Sequence, residues 1–307
     1  MSILFAHTES QWAISKHVGD ELAKRAEVRT FDLYQTPYWA DFKNALPFYI
    51  PKGFPVSIQS LEKKFQKKFD LVIEYSGGGQ HHLTGLRKYP APVVHCTLDE
   101  HEPVKRKFEM SIKKDFDMVL VCHKDYLHLY KDMPSVWFPP AFDPGLHRKL
   151  NLPKRYDVGF VGNLDRNIYK ERVEMLEKLS KRFKVSMFHK VYGEKMVEIV
   201  NQSRIVVHQS FNHDLSTRVF DTLACGTFLL GDRVKDGMED FFKDGIHLGL
   251  YDNYADLEEK IAYYLAHEDD REQIAAEGHR EVMAKHTFGH RAEFLLKETA
   301  KLKKLSR

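Results

Sequence analysis

The sequence predicts an α/β protein of two doubly wound, Rossmann-like domains facing a cleft, with a helical C-terminus. Three observations carry that prediction. Short β-branched runs alternate with longer amphipathic stretches from Ile3 to Tyr251, the pattern of parallel strands covered by helices on both faces. The alternation breaks once, at Phe138-Pro139-Pro140-Ala141-Phe142-Asp143-Pro144, where three prolines resist both helix and central strand. After Asp252 the pattern is helical to the end.

Element by element, Ile3–Ala6 reads as a first strand, followed by a helix over Ser10–Arg25 with Ser10 as its N-cap and Trp12, Ile14, Val18 and Leu22 near helical spacing. Strands are expected at Val28–Phe31, Leu71–Tyr75, Val93–Thr97, Met118–Cys122 and Val136–Phe138. A second series has strands at Val158–Val161, Val185–Phe188, Ile205–His208, Phe228–Gly231 and Leu248–Tyr251. Its helices fall at Lys170–Arg182, Glu194–Gln202, Thr217–Ala224 and Tyr254–Ala266. The proline segment reads as a hinge, giving domains 1–140 and 141–290 and a terminal helix over 291–307. Such a pair would bind ligands at the carboxyl ends of its strands.

Composition narrows the class. The 307 residues hold 47 Lys and Arg against 44 Asp and Glu, a net of +3, with 43% hydrophobic and 30% charged residues. That excludes disorder, which needs few apolar residues and a high net charge. No apolar run approaches the ~20 residues of a membrane span. The start, Met1–His7, lacks a basic leader region and reads as strand. Cys96, Cys122 and Cys225 lie far apart without a CxxC, so neither a disulfide framework nor a thiolate metal site is expected, and a cytoplasmic setting fits. Basic and acidic residues number 21 and 18 in residues 1–150 and 26 and 26 in 151–307, a balance that disfavours nucleic acid as partner.

Two stretches carry the chemistry. Asp157-Val158-Gly159-Phe160-Val161-Gly162-Asn163, then Leu164-Asp165-Arg166 and a helix from about Lys170, is a strand, a glycine-containing turn and a helix start. It aims backbone N–H groups at an anion such as phosphate, with Arg166 and Arg172 adding charge. It contains neither GxGxxG nor GxxxxGK[ST]. Alternatively its glycines serve steric needs only. The second stretch, Ser216–Leu230, reads as a short helix ending near Gly226 and running into a strand. Arg218 and Asp221, three apart, share a helix face. They could clamp a diphosphate and accept ribose hydroxyls, or form a surface salt bridge.

Together with the Tyr192-Gly193 turn, Phe241–Leu250 and His286-Thr287-Phe288…Arg291, these stretches resemble the C-terminal domain of CgeB-like, spore-maturation type glycosyltransferases. Those enzymes belong to the group 1 nucleotide-sugar glycosyltransferases of GT-B fold. More weakly, Asp70–Tyr75, Val93–Asp99, Asp117–Cys122 and Pro139–Asp143 are similar to segments of the family's first domain. The resemblance implies transfer of a sugar from a nucleoside-diphosphate donor, expected to be a UDP-sugar, to a hydroxyl acceptor. The first domain would take the acceptor and the second the nucleotide sugar. No cofactor or divalent metal is implied, the leaving diphosphate being met by arginine and helix N–H groups. Arg218 matches the basic residue facing the diphosphate and Asp221 the acidic ribose position. Gly162 and Asn163 match the phosphate loop, and Tyr192 the segment beside the base. His213 stands where the family often has a glutamate. The last helix would pack towards the first domain through Ala292, Leu295, Leu296, Leu302 and Leu305, leaving Lys297, Lys301 and Lys304 to solvent.

Other constellations have two readings each. Leu98-Asp99-Glu100-His101-Glu102 follows a strand at its carboxyl end, where Asp99, and secondarily His101, could be the base that takes the acceptor's proton. Asp99 or Glu100 could instead cap the helix starting near Pro103. Gly77-Gly78-Gly79-Gln80-His81-His82 could line the cleft, with Gly78, His81 or His82 touching acceptor or sugar, or be a flexible turn. Asp115-Phe116-Asp117 is a DxD but resembles an ordinary helix-to-strand junction. His286 and His290 lack a third metal ligand and are expected to cap or pack. Residues 36–56, with six aromatics and four prolines, read as a packed insertion or as an acceptor or membrane contact. The neighbouring lysines Lys63, Lys64, Lys67 and Lys68 read as a solvated face. Two rival functions stay open, a non-catalytic sugar-nucleotide or glycan-binding module and a DNA-base glycosyltransferase.

Overall fold

The computed structural model describes residues 1–8, 13–33, 55–75 and 81–302. It divides into two compact units, Met1–Pro139 with Phe288–Arg307, and Pro140–Thr287.

The first unit holds six strands, β1 (Ser2–His7), β2 (Glu27–Asp32), β3 (Leu71–Tyr75), β4 (Val93–Cys96), β5 (Met118–Val121) and β6 (Ser135–Trp137). They form one parallel sheet in the order β2-β1-β3-β4-β5-β6. Every residue of β1, β3, β4 and β5 is buried, which is why these strands read as mainly apolar runs rather than as alternation, with Glu74 and His95 among the buried exceptions. The helices α1 (Ile14–Ala23), α2 (Ile58–Phe65) and α3 (Pro103–Ile112) connect them. Ser57 caps α2, its hydroxyl accepting the Ser60 N–H at 3.1 Å. Ile58, Leu61 and Phe69 are buried, while Lys63, Lys64 and Lys68 are exposed and Lys67 pairs with Glu27. The helix predicted from Ser10 begins at Ile14 with Ala13 as its N-cap; Ser10 and Trp12 lie outside the described residues, as do Gly77–Gln80 and residues 36–54.

The second unit repeats this winding. Strands β7 (Tyr156–Gly162), β8 (Val185–His189), β9 (Ser203–His208), β10 (Phe228–Asp232) and β11 (Gly249–Tyr251) form a parallel sheet in the order β11-β10-β9-β7-β8. Helices α4 (Lys170–Leu179), α5 (Gly193–Asn201), α6 (Thr217–Ala224), α7 (Met238–Phe241), α8 (Tyr254–Ala266) and α9 (Glu268–Lys285) cover it. Its core joins Val158, Ile205, Val207, Phe228 and Leu230 of the sheet to Leu257, Ile261 and Ile274 of α8 and α9. In each sheet the strand order reverses once, between β1 and β3 and between β7 and β9. A doubly wound sheet binds ligands at the carboxyl edge of such a reversal.

The last helix, α10 (Phe288–Ala300), belongs to the first unit. His17 of α1 stacks on Phe288 with ring centres 5.0 Å apart, and Arg25 pairs with Glu293 at 2.9 Å. Ala292 and Leu295 are fully buried, Leu296 and Leu302 half-buried, and Lys297 and Lys301 exposed. Lys304 and Leu305 lie outside the described residues. Arg291 is buried and donates through Nε to the Pro139 carbonyl at 2.9 Å; burial lowers its pKa to about 10. Among the described residues, no helix is long and apolar enough to cross a membrane.

Candidate active site

The reversal between β7 and β9 is bridged by one side chain. Arg172 of α4 donates to the Asn163 carbonyl beyond β7 at 3.2 Å and to the Gln209 carbonyl beyond β9 at 2.7 Å. Its guanidinium lies 4.3 Å from the centre of the Tyr169 ring and 5.7 Å from that of Phe160. Burial lowers its pKa from the usual arginine value. Gly162, the last residue of β7, is needed for space, because a Cβ there would stand 2.9 Å from the Phe160 ring. Asn163 folds the turn by accepting the Asp165 N–H on Oδ1 at 3.0 Å. The steric reading of the glycine therefore holds at this position. Arg166 does not join the turn: it pairs with Glu177 on the exposed face of α4. Arg172 is the arginine that organises the edge.

The next connection, Gln209–Ser216, is strapped from both sides. Asp232 at the end of β10 accepts the Ser210 N–H at 2.8 Å and also its hydroxyl proton. Tyr251 of β11 donates to the His208 carbonyl at 3.1 Å. His208 Nε2 lies 3.2 Å from Ser216 Oγ, just ahead of α6. Burial lowers the His208 pKa to about 4 against the opposing charge of Asp232, with Arg172 and Arg218 adding to the fall, so its imidazole is neutral. Asn212 and His213 both take left-handed backbone conformations, φ 52° and 60°, and His213 is exposed.

Arg218 and Asp221 share a face of α6, as their spacing predicts, but that face is not a surface one. Their side chains are only 19% and 10% exposed. Arg218 Nη1 stands 3.7 Å from Asp221 Oδ2 and also contacts the Met196 sulfur. His147 Nδ1 stands 3.4 Å from Asp221 Oδ1 on the other side. Among the described residues no carboxylate comes within hydrogen-bonding distance of the Arg218 guanidinium. Tyr192 is the N-cap residue of α5, with an exposed ring.

In the first unit, the carboxyl ends of β4 and β5 are tied by Thr97. Its N–H donates to the Leu120 carbonyl at 3.0 Å, its Oγ1 accepts the Cys122 N–H at 3.3 Å, and its hydroxyl donates to Glu100. This brings Asp99 and His101, beyond β4, to His123, beyond β5, so that donor atoms of all three lie within 4.8 Å of one another. Asp99 is left-handed at φ 60°, and its Oδ2 accepts from Lys105 Nζ at 2.7 Å. The capping alternative is corrected here. The N-cap of α3 is Glu102, no side chain caps the helix, and Asp99 contributes only its carbonyl to the Glu102 N–H at 2.9 Å.

In the histidine loop, the structure bears on His82. Gly78 lies outside the described residues, His81 is half-buried, and His82 has both ring nitrogens engaged. Its Nδ1 is 3.0 Å from Glu74 Oε1 and its Nε2 is 3.1 Å from Asp115 Oδ2. A histidine held between two carboxylates has no ring nitrogen left for an acceptor, so His82 is structural. The same contacts settle the DxD, since Asp115 faces His82 while Asp117 accepts the Val93 N–H at 2.9 Å. His286 is buried among Phe220, Phe241 and Phe242, and His290 sits on α10 in the other unit.

The sequence over residues 146–297 matches a family model described as glycosyl transferase-like. Those residues are a glycosyl transferase-like domain. No curated protein matches the chain. Among solved structures, the chain is similar to sucrose-phosphate synthase from Thermosynechococcus elongatus, with a TM-score of 0.69 at 13% identity over 97% of this chain and 98% of that one. It is similar to a glycosyltransferase from Rickettsia africae, with a TM-score of 0.67 at 13% identity over 98% and 99%. HepE of Anabaena, solved in complex with UDP and glucose, gives 0.65 at 12% identity over 98% and 100%. The shared property at these identities is the α/β fold with two parallel sheets, that of GT-B glycosyltransferases.

The glycosyl transferase-like domain contains the whole Arg172, His208, Arg218 and Asp221 arrangement. Sequence reasoning missed His147, His208 and His123. The last two sit at carboxyl strand ends, the signal that had singled out Asp99. His147 lies in an irregular segment after the prolines, where nothing in the pattern marks it.

Proposed function

We propose that this protein is a CgeB-like GT-B glycosyltransferase that moves a sugar from a nucleoside-diphosphate donor, UDP being the nucleotide, to a hydroxyl acceptor. The observation that carries the reading is the Arg218–Asp221–His147 arrangement on a glycosyl transferase-like domain. Arg218, largely withdrawn from solvent and with its nearest carboxylate, Asp221, at 3.7 Å, offers N–H donors to a diphosphate at the start of α6. Asp221, held from two sides, offers carboxylate oxygens to ribose hydroxyls. Gly162 at the end of β7 and Asn163 in the turn beyond it supply the phosphate loop, and Tyr192 flanks the base.

In the reaction the bond from the sugar's anomeric carbon to the diphosphate breaks and a bond to the acceptor oxygen forms. The acceptor's proton goes to a base, and the diphosphate leaves with the charge that Arg218 and the first N–H groups of α6 stabilise. This leaving-group role needs no metal on the diphosphate. In the first unit Asp99 and His101, at the carboxyl edge of β4, are the groups proposed to meet the acceptor and its proton. Three buried cysteines far apart in the sequence support a reducing, cytoplasmic setting. One observation favours a non-catalytic sugar-nucleotide module: the family's second acidic position is an exposed, left-handed His213.

The test is release of UDP from a panel of UDP-sugars with simple hydroxyl acceptors. Turnover by the native chain, together with UDP affinity lowered about 10- to 100-fold in a folded Arg218→Ala variant, is expected from loss of a charge-assisted contact worth ~1.5–3 kcal/mol. Unchanged affinity would remove Arg218 from the donor site. Binding without turnover would support the module reading.

A further inference from the structure

The cluster at the end of β4 and β5 has the makings of more than an acceptor contact. Asp99, His101 and His123 offer one carboxylate oxygen and two imidazole nitrogens within 4.8 Å of one another. The rings of His101 and His123 meet at 64° between planes with centres 5.5 Å apart. Asp99 and His101 are half-buried and His123 is buried. Glu100, between the first two, is fully buried, and its Oε2 has no hydrogen-bond partner among the described residues. That oxygen lies 3.9 Å from His123 Nε2. Leaving such an oxygen dry and unpartnered is costly unless something positive comes near.

We propose that Asp99, His101 and His123 form a binding site for one divalent transition-metal ion, with Glu100 as the buried carboxylate behind it. Two imidazoles and a carboxylate suit zinc and its first-row neighbours rather than magnesium or calcium, which prefer all-oxygen shells. Bonds of about 2.0 Å put donor atoms on one tetrahedral zinc roughly 3.3 Å apart. Closing from the present spacing takes rotation of the half-buried Asp99 and His101 side chains towards the buried His123. Three protein ligands leave a fourth position open, the arrangement of sites that bind a water or a substrate oxygen. The competing cation is Lys105, whose Nζ lies 2.7 Å from Asp99 Oδ2. An ion must share the carboxylate with it or displace it, and Lys105 therefore sets the affinity.

An ion bound here lowers the pKa of an oxygen attached to it. It would thus serve the proton-accepting end of the proposed transfer while taking no part in holding the donor diphosphate. The inference nevertheless stands without that reading, because its test measures metal binding and not turnover.

Chelator-treated full-length protein is titrated with zinc alone by calorimetry, and with cobalt while the visible spectrum is followed. One ion per chain is expected, with a cobalt spectrum of low coordination number. Since removing even an outer partner of a metal site costs 10- to 100-fold, His101→Ala and Asp99→Asn should each weaken zinc by about 100-fold or more with the thermal transition unchanged. Lys105→Gln should tighten it. These two ligand variants alter half-buried side chains outside the core, so loss of folding does not confuse the result. Absence of stoichiometric binding overturns the proposal. So does zinc affinity that is the same in His101→Ala and Asp99→Asn as in the native chain, which would assign the ion to others of the 17 histidines.

Discussion

Asp221 illustrates what a single position can and cannot announce. Its spacing from Arg218 was legible, because i,i+3 residues on a helix must share a face. Its second neighbour, His147 at 3.4 Å, was not, because that contact is made by an irregular segment 74 positions away with no periodicity to follow. Gly162 was legible as part of a turn, yet what requires glycine there is the Phe160 ring beside it. Gly278, inside α9, gave no signal at all. A Cβ there would stand 2.1 Å from the His247 carbonyl oxygen and 2.8 Å from Leu223. Backbone cannot yield as a flexible side chain does. Gly278→Ala is therefore expected to cost at least the ~1–3 kcal/mol typical of overpacking, read as a lower midpoint in urea. A midpoint equal to the native one would mean that α9 can shift away without penalty.

Among the elements, the strands buried on both faces were legible because their runs are mainly apolar, with Glu74 of β3 and His95 of β4 as exceptions that pair inside the core. β3 runs over Leu71–Tyr75 and α6 over Thr217–Ala224, the limits the pattern predicts. Loops were less legible, since side chains from distant strands decide their course. The segment with His82 is drawn over the sheet by Glu74 of β3, which also accepts the Leu83 N–H at 2.9 Å. His82 is thereby linked to a buried set that continues through His95 of β4 to Glu109 of α3. Burial works to lower the pKa of both histidines, but the facing carboxylates outweigh it: Glu74 and Asp115 for His82, Glu109 and Glu74 for His95. Both pKa values are raised above the unfolded ~6.5. Groups raised on folding stabilise fully below the unfolded value and lose that contribution as pH climbs through the folded one. The first unit should thus lose stability as pH rises above about 6.5, and His82→Gln should flatten the slope. A native profile that rises over that range would contradict the ion pairs. The terminal helix makes a separate prediction. Truncation at Ala292 removes the buried Ala292 and Leu295, and a buried leucine alone is worth ~2–5 kcal/mol. The thermal midpoint should fall by at least 5 °C or so. Loss of vesicle binding with no fall would instead make α10 a membrane-surface helix.

For the whole molecule, two parallel sheets wound the same way divide the chemistry between separate cores. Each sheet's order reversal presents carboxyl ends, and in the second unit both ends are bridged by one buried arginine, Arg172. A nucleotide diphosphate bound at that edge should stabilise the second unit in proportion to its affinity. At 100 times its Kd a ligand adds ~2.7 kcal/mol. For a unit of about 150 residues this is a rise of roughly 5–10 °C in the thermal midpoint. UDP should produce that rise, and Arg218→Ala should remove most of it. With the diphosphate met by Arg218 and helix N–H groups, as proposed, the rise should persist in EDTA. A rise lost in EDTA and restored by manganese would assign the diphosphate to a metal ion. A rise produced by duplex DNA but not by UDP, and falling steeply with salt, would move the protein to the DNA-base reading, since phosphate contacts release counterions and sugar nucleotides do not show such a slope.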